Sequence, residues 1–344
     1  MSFMKNARRT VAASAMFAAM SASAFAQEVT LKMHQFLPAQ ASVPSQILDV
    51  WADKVEAESG GKIKIERYPS MQLGGKPPEL ADQVVDGIAD IVWTVTGYSP
   101  GRFPRSEAFE MPFTMTNAED TSRAYWEFAE KNMLDKDFAE MKMLAVWVHG
   151  PGLIHSKNPI ASVADLNGVK LRAPTRVTNK LFSTMGATPV GMPVPAVPEA
   201  LSKGVIDATV IPWEVTSALK VSELVSNHTE FGDDTLYTTT FIFAMNKDKY
   251  ESLSDELKAV IDANSGADVS AWAGKVMQAA DAPARKIAVD RGNTIITLTP
   301  EQVAEWKAAA APIEAGWVEE VSTNDLDGQA LLDEAKALIA KHSK

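Results

Sequence analysis

The apolar positions of this chain change period repeatedly. Val29-Thr30-Leu31-Lys32-Met33-His34 alternates and predicts a first strand. From Ser42 to Ser59, Ile47, Trp51 and Val55 recur at helical spacing, and Gly60-Gly61 ends the run. Ile63-Lys64-Ile65-Glu66-Arg67-Tyr68 alternates again before the Pro69-Ser70 turn. Strand, helix and strand in that order predict a right-handed parallel crossover. A helix over Pro78 to Gly87 and a strand over Ile88 to Thr94 come next. Trp93 to Pro104 reads as a loop, and Thr116 to Phe138 contains a helix. Met143 to Val148 is a buried strand that ends at the tight turn His149-Gly150-Pro151-Gly152.

The stretch from Asp165 to Glu214 has the densest punctuation. Asn167-Gly168 turns the chain into the strand Val169-Lys170-Leu171, and Arg172-Ala173-Pro174 follows. A helix over Arg176 to Met185 closes at Gly186, where a left-handed residue is wanted. A second helix, about Pro195 to Lys203, closes at Gly204 and leads into the strand Ile206 to Ile211. Then come a helix near Val215 to Leu224 and a β-branched, aromatic strand from Tyr237 to Met245. The rest reads as helix: Ser254 to Asn264, a long Ala-rich run from Gly266 to Arg291, Pro300 to Ile313, and Asp327 to Ala340. Ile295 to Leu298 is a strand among them. Strands alternating with helices predict an α/β fold.

Arg172 falls at the C-terminal end of a strand, just before a helix. Ligands bind at that end in open α/β sheets. A guanidinium there can hold a carboxylate through two parallel hydrogen bonds. On position alone, a surface Arg without a partner is an equal alternative.

Residues 1–26 carry Lys5, Arg8 and Arg9, then an Ala-rich apolar run, then Ala24-Phe25-Ala26. That is the layout of a secretory signal, leaving Gln27 first. Removing it takes three of the 33 basic residues and no acidic one from the 344-residue chain, which leaves 318 residues and a net charge of −14. Such a charge disfavours nucleic acid and anionic membrane as partners. With no cysteine, stability must come from packed cores, and the length calls for two lobes. No nucleophile elbow, P-loop, dinucleotide fingerprint or H-E-x-x-H is present. His149 and His155, six apart across a turn, have a poor metal spacing. No cofactor is called for.

Leu166-Asn167-Gly168-Val169-Lys170-Leu171-Arg172-Ala173-Pro174, Gly186-Ala187-Thr188-Pro189-Val190 and the run from Ala200 to Asp207 carry a specific resemblance. So do Tyr68-Pro69-Ser70-Met71-Gln72-Leu73-Gly74 and Gly87-Ile88-Ala89-Asp90. In order and spacing the chain resembles the solute-binding subunit of tripartite ATP-independent periplasmic (TRAP) transporters, the C4-dicarboxylate-binding-protein type. The resemblance implies a two-lobe periplasmic binding protein fold with mixed sheets, a central ligand cleft and long C-terminal helices. It implies that Arg172 clamps a substrate carboxylate at the cleft rim. It also implies small and large membrane permease subunits as partners. One lobe would hold 27–149 plus about 237–280, the other 150–236 plus about 281–344. Crossing of both lobes by the long helix favours a monomer, although some relatives dimerise through an extended C-terminal helix.

The departures from that pattern bear on the ligand. A second Arg of many members is here Gly152, an Asn is Ile211, and an "E-x-Y" is Ala196-Val197-Pro198. Around Arg172 the remaining candidates are Met192, Trp213, Phe113, Phe241, Gly150 and Pro174, with His149, Thr94 and Glu214 as polar ones. Glu214 either accepts from a ligand hydroxyl or, the commoner role for such a Glu, is solvated or caps the next helix. One clamp among aromatic walls suits a monocarboxylate with an apolar or aromatic body. Binders of small dicarboxylates, keto acids or sulfonates, a periplasmic enzyme on the same scaffold, and a sensor subunit are the alternatives.

Overall fold

Alternation buries one face of each opening strand, and the helix between them lays Ile47, Trp51 and Val55 on that face. In the computed structural model, which describes residues 28–323 and 326–343, the two strands run parallel from Val29 against Ile63 to His34 against Tyr68. This is the crossover geometry that the pattern predicts. The signal-peptide reading lies outside the described residues. Gly60 and Gly61 take φ of +62° and +79°, a conformation that costs glycine nothing.

The first half of the chain supplies β1 (Val29–His34), β2 (Ile63–Tyr68), β3 (Ile91–Val95) and β4 (Met141–Val148). After them come β5 (Gly152–Ser156), β6 (Lys170–Ala173), β7 (Thr188–Gly191), β8 (Ala208–Pro212), β9 (Asn227–Glu230), β10 (Thr240–Asn246) and β11 (Thr294–Thr297). They form two mixed sheets, ordered β2-β1-β3-β10-β4 and β11-β9-β5-β8-β6-β7. In the first sheet β10 is antiparallel to both its neighbours, and in the second β5 is. The chain therefore leaves the first sheet after β4, returns for β10 and leaves again for β11. The first two crossings touch, because the Gly152 amide donates to the Tyr237 carbonyl at 3.0 Å.

The third crossing is the Ala-rich run. It is two helices, Ala267–Ala279 and Asp281–Asp290, that meet at Ala280. Pro283 sits in the first turn of the second helix, where its missing N–H costs nothing. The first helix packs on Ala118–Asn132 and β4, and the second on Trp213–Ala218. The last helix, Gly328–His342, packs on Ala118–Asn132. The chain end thus lies with the first sheet, whereas the sequence reading put 281–344 with the second.

Several elements differ from the pattern reading. The strand expected from Ile88 begins at Ile91, because Gly87 takes φ +72° and Ile88 is solvent-exposed. β5, β7 and β9 were not foreseen. β7 is an edge strand containing Pro189, which only an edge tolerates. β9 reads Asn-His-Thr-Glu and shows no apolar alternation. Pro312 opens a further helix, Pro312–Ser322. Among the described residues no helix is long and apolar enough to cross a membrane.

Candidate functional site

Arg172 is the third residue of β6, paired with Val190 of β7 and Thr209 of β8. It is 1% exposed, so it lies inside the molecule and not at a rim. Its Nε donates to the Met192 carbonyl at 2.9 Å. One terminal nitrogen donates to the Val210 carbonyl at 3.1 Å, the other to the Tyr98 hydroxyl at 3.5 Å. All three acceptors are neutral. A guanidinium has five N–H groups, so each terminal nitrogen keeps one, set as a fork. A buried charge without a counter-charge is costly, and this site favours an anion.

The fork opens on a cavity between the two sheets. The first-sheet side contributes Phe36, Leu37, Trp93, Val95 and Tyr98. The chain crossings contribute His149, Tyr237 and Thr239, and β10 contributes Phe241. Pro174, Val194, Ile211, Pro212, Glu214 and Val215 face them from the second sheet, and Met277 from the crossing helix. Trp93 is stacked on Phe36 at 4.6 Å and on Phe241 at 5.2 Å. One wall is therefore a continuous aromatic face.

His149 is neutral in this setting. Burial pulls its pKa down to about 4, against the Gly150 hydrogen bond, and Arg172 adds to the pull. Its Nδ1 lies 2.5 Å from the Gly150 carbonyl and its Nε2 2.5 Å from the Thr239 hydroxyl. A carbonyl only accepts, so Nδ1 carries the proton and Nε2 accepts from Thr239.

Glu214 lines the cavity as expected, but not as a ready acceptor. Burial pushes its pKa up to about 8, against the Ser42 hydrogen bond and with help from Asp281. Asp281 is itself pushed up by burial to about 7, although its carboxylate accepts from the Glu214 amide at 2.8 Å. The Ser42 hydroxyl donates to the Glu214 carboxyl, which ties the start of the helix after β1 to the helix that follows β8. A carboxyl whose folded pKa is raised contributes its full stability below the unfolded value and loses it as pH rises through the folded value. Replacing Glu214 by Gln should therefore make the protein more stable relative to wild type as pH rises from 5 to 8. Each pH unit over which only the unfolded carboxyl is ionised contributes about 1.4 kcal/mol. Urea midpoints at pH 5, 6.5 and 8 test this, and a difference constant with pH would refute it.

A model of the bacterial extracellular solute-binding proteins, family 7, matches residues 35–320. The chain belongs to this family. A TRAP solute-binding protein from Rhodoferax ferrireducens T118, solved in complex with copurified benzoate, is 50% identical. The match covers 91% of this chain and 98% of that one, with a TM-score of 0.90. A marine-metagenome TRAP solute-binding protein specific for aromatic acid ligands, solved with 3-hydroxybenzoate, is 52% identical over 92% of this chain and all of that one (100%), also at 0.90. The outer membrane transporter protein TsaT of Comamonas testosteroni is 27% identical over 338 residues, 97% of this chain and 99% of that protein. The two-lobe α/β architecture is that of TRAP solute-binding proteins.

Within this family-7 fold, five of the expected residues line the cavity: Arg172, His149, Pro174, Glu214 and Phe241. The other five do not, each for a local reason. Thr94 lies between Trp93 and Val95 on β3, and strand alternation turns it to the opposite face. Phe113 packs edge-on to Phe231 at 6.1 Å and lines a separate groove. Trp213 donates its indole N–H to Glu230 at 2.8 Å and packs on the buried pair His155 and His228. Met192 serves through its carbonyl, and so does Gly150. Tyr98, Tyr237 and Trp93 were missed. Tyr98 was read as loop, although a loop after a strand end is where cavity residues gather.

Gly152 explains the missing second Arg in space. A Cβ at Gly152 would overlap the ring of Tyr237. The phenol fills the room that a longer side chain would need.

Proposed function

We propose that this protein captures a monocarboxylic acid with a single aromatic ring outside the cytoplasm and delivers it to the membrane subunits of a TRAP transporter. The observation that carries the reading is the buried, uncompensated fork of Arg172 facing an aromatic wall across the cavity. The benzoate and 3-hydroxybenzoate held by the two relatives near 50% identity support the same ligand class. Among the described residues no second Arg lines the cavity to receive a second carboxylate, which argues against dicarboxylates. Membership of a family of solute-binding proteins supports binding without turnover. Export by residues 1–26 and a monomer bridged by the paired crossing helices complete the proposal.

A thermal-shift panel tests it. Benzoate and 3-hydroxybenzoate should raise the melting temperature most, ahead of pyruvate, methanesulfonate, succinate and malate. Benzamide should have little effect. If succinate or malate gave the largest shift, the aromatic reading would fall. If benzamide matched benzoate, the carboxylate reading would fall. Conversion of a bound acid, followed by mass spectrometry, would overturn binding without turnover.

A further inference from the structure

Near Arg172, two phenol protons have no acceptor among the described residues. The Tyr98 oxygen accepts from the Val194 amide at 2.8 Å and from Arg172 at 3.5 Å. A hydroxyl has two lone pairs and one proton. Both lone pairs are engaged, and among the described residues nothing accepts the proton. Its ring is fixed edge-on against Phe36 at 5.7 Å. Tyr98 stands on the first-sheet side of the cavity, while Val194 and Arg172 stand on the other.

Tyr237 presents a second such group. Its ring lies against Gly152 and edge-on to His149 at 5.4 Å. Its hydroxyl has no hydrogen-bond partner among the described residues, and the residue lines the same cavity. Burial pushes both phenols above their ordinary range, while the Arg172 charge acts on both in the opposite direction. Both are therefore protonated donors at neutral pH, and both lie close enough to Arg172 to feel its charge.

We infer that the hydroxyls of Tyr98 and Tyr237 complete the carboxylate anchor, each donating a hydrogen bond to the acid that Arg172 holds. The inference rests on the proposed carboxylate ligand. The count agrees with the chemistry. A carboxylate offers about four acceptor sites on two oxygens. The Arg172 fork occupies two, and the phenols occupy the other two. A buried carboxylate is favourable when its remaining lone pairs are also satisfied, and O–H donors to a charged oxygen are among the stronger ones. In this arrangement Tyr98 lets the first-sheet side read the same carboxylate that the second-sheet side holds.

The test is calorimetric titration of benzoate into wild type, Tyr98→Phe, Tyr237→Phe and the double variant. Each single change should weaken binding by about 10-fold or more, and the double change by about 100-fold, as expected for a hydrogen bond to a charged partner. Tyr237→Phe should leave the ligand-free melting temperature unchanged, since its hydroxyl bonds no protein group. Site-specific 3-fluorotyrosine at position 98 separates ligand donation from support of Val194. Ring fluorine makes the phenol a better donor and a poorer acceptor. Benzoate should then bind at least as tightly as to wild type; weaker binding would mean that Tyr98 only accepts. Tyr237→Phe with wild-type affinity would remove Tyr237 from the anchor. Wild type that bound no acid at all would overturn the proposed function, a result distinct from equal binding by wild type and variants.

Discussion

Replacing Arg172 by Lys is expected to lower the affinity for benzoate by about 100-fold or more, and Arg172→Ala to abolish binding and weaken the fold as well. The reason is burial. Arg172 is 1% exposed and supports the Met192 and Val210 carbonyls and the Tyr98 hydroxyl. Removing one member of a buried charge pair costs about 3–5 kcal/mol, or roughly two to three and a half decades of affinity at about 1.4 kcal/mol each. Alanine adds a second loss, since each buried carbonyl left without a donor costs about 1–3 kcal/mol. Lysine keeps the charge but presents a compact ammonium, which cannot serve three protein acceptors and two carboxylate oxygens together. Benzoate titration and urea unfolding of the three proteins measure both effects. Retention of wild-type affinity by Arg172→Ala would remove Arg172 from the site.

The second large effect belongs to Trp93. Trp93→Ala should lose about 3–5 kcal/mol of stability, the usual range for deleting a buried Trp or Phe side chain. Trp93 is 1% exposed and stacks on Phe36, Phe241 and Trp147 at 4.6, 5.2 and 6.1 Å. Three neighbours would lose a face together, and the cavity would widen on the side where an aromatic ring is proposed to lie. Its indole N–H has no partner among the described residues, so Trp93→Phe forfeits contact area without stranding a hydrogen bond. Phe should therefore recover most of the stability and of the benzoate affinity. An alanine variant within about 1 kcal/mol of wild type would show that the stack contributes little.

The fold was legible where period was sustained. The opening crossover, the Arg172 strand and the glycine-closed helices follow from spacing and punctuation. The weak points were short. β9 carries no apolar alternation, and β7 tolerates its proline only by lying at an edge. The Ala-rich run looked continuous because alanine hides the break that Pro283 and Ala280 make. At the site, charge and position pointed to Arg172, and the turn after β4 pointed to His149. Face assignment failed where a one-residue shift decides it: Thr94 was named when Trp93 and Val95 on either side of it line the cavity. Tyr98 and Tyr237 were out of reach for a different reason. They come from segments far apart in the chain, and only the packing of the two sheets brings them into one cavity.

The contact between Gly152 and Tyr237 sets the order in which this pocket could change its ligand class. An arginine introduced at 152 to receive a second carboxylate would drive its Cβ into the phenol ring, so that substitution alone is destabilising and gains nothing. Shortening Tyr237 first opens the room but weakens the grip on the existing acid. The two positions are epistatic: each step toward a dicarboxylate site is harmful without the other. In this chain a second carboxylate site at 152 would need both changes made together.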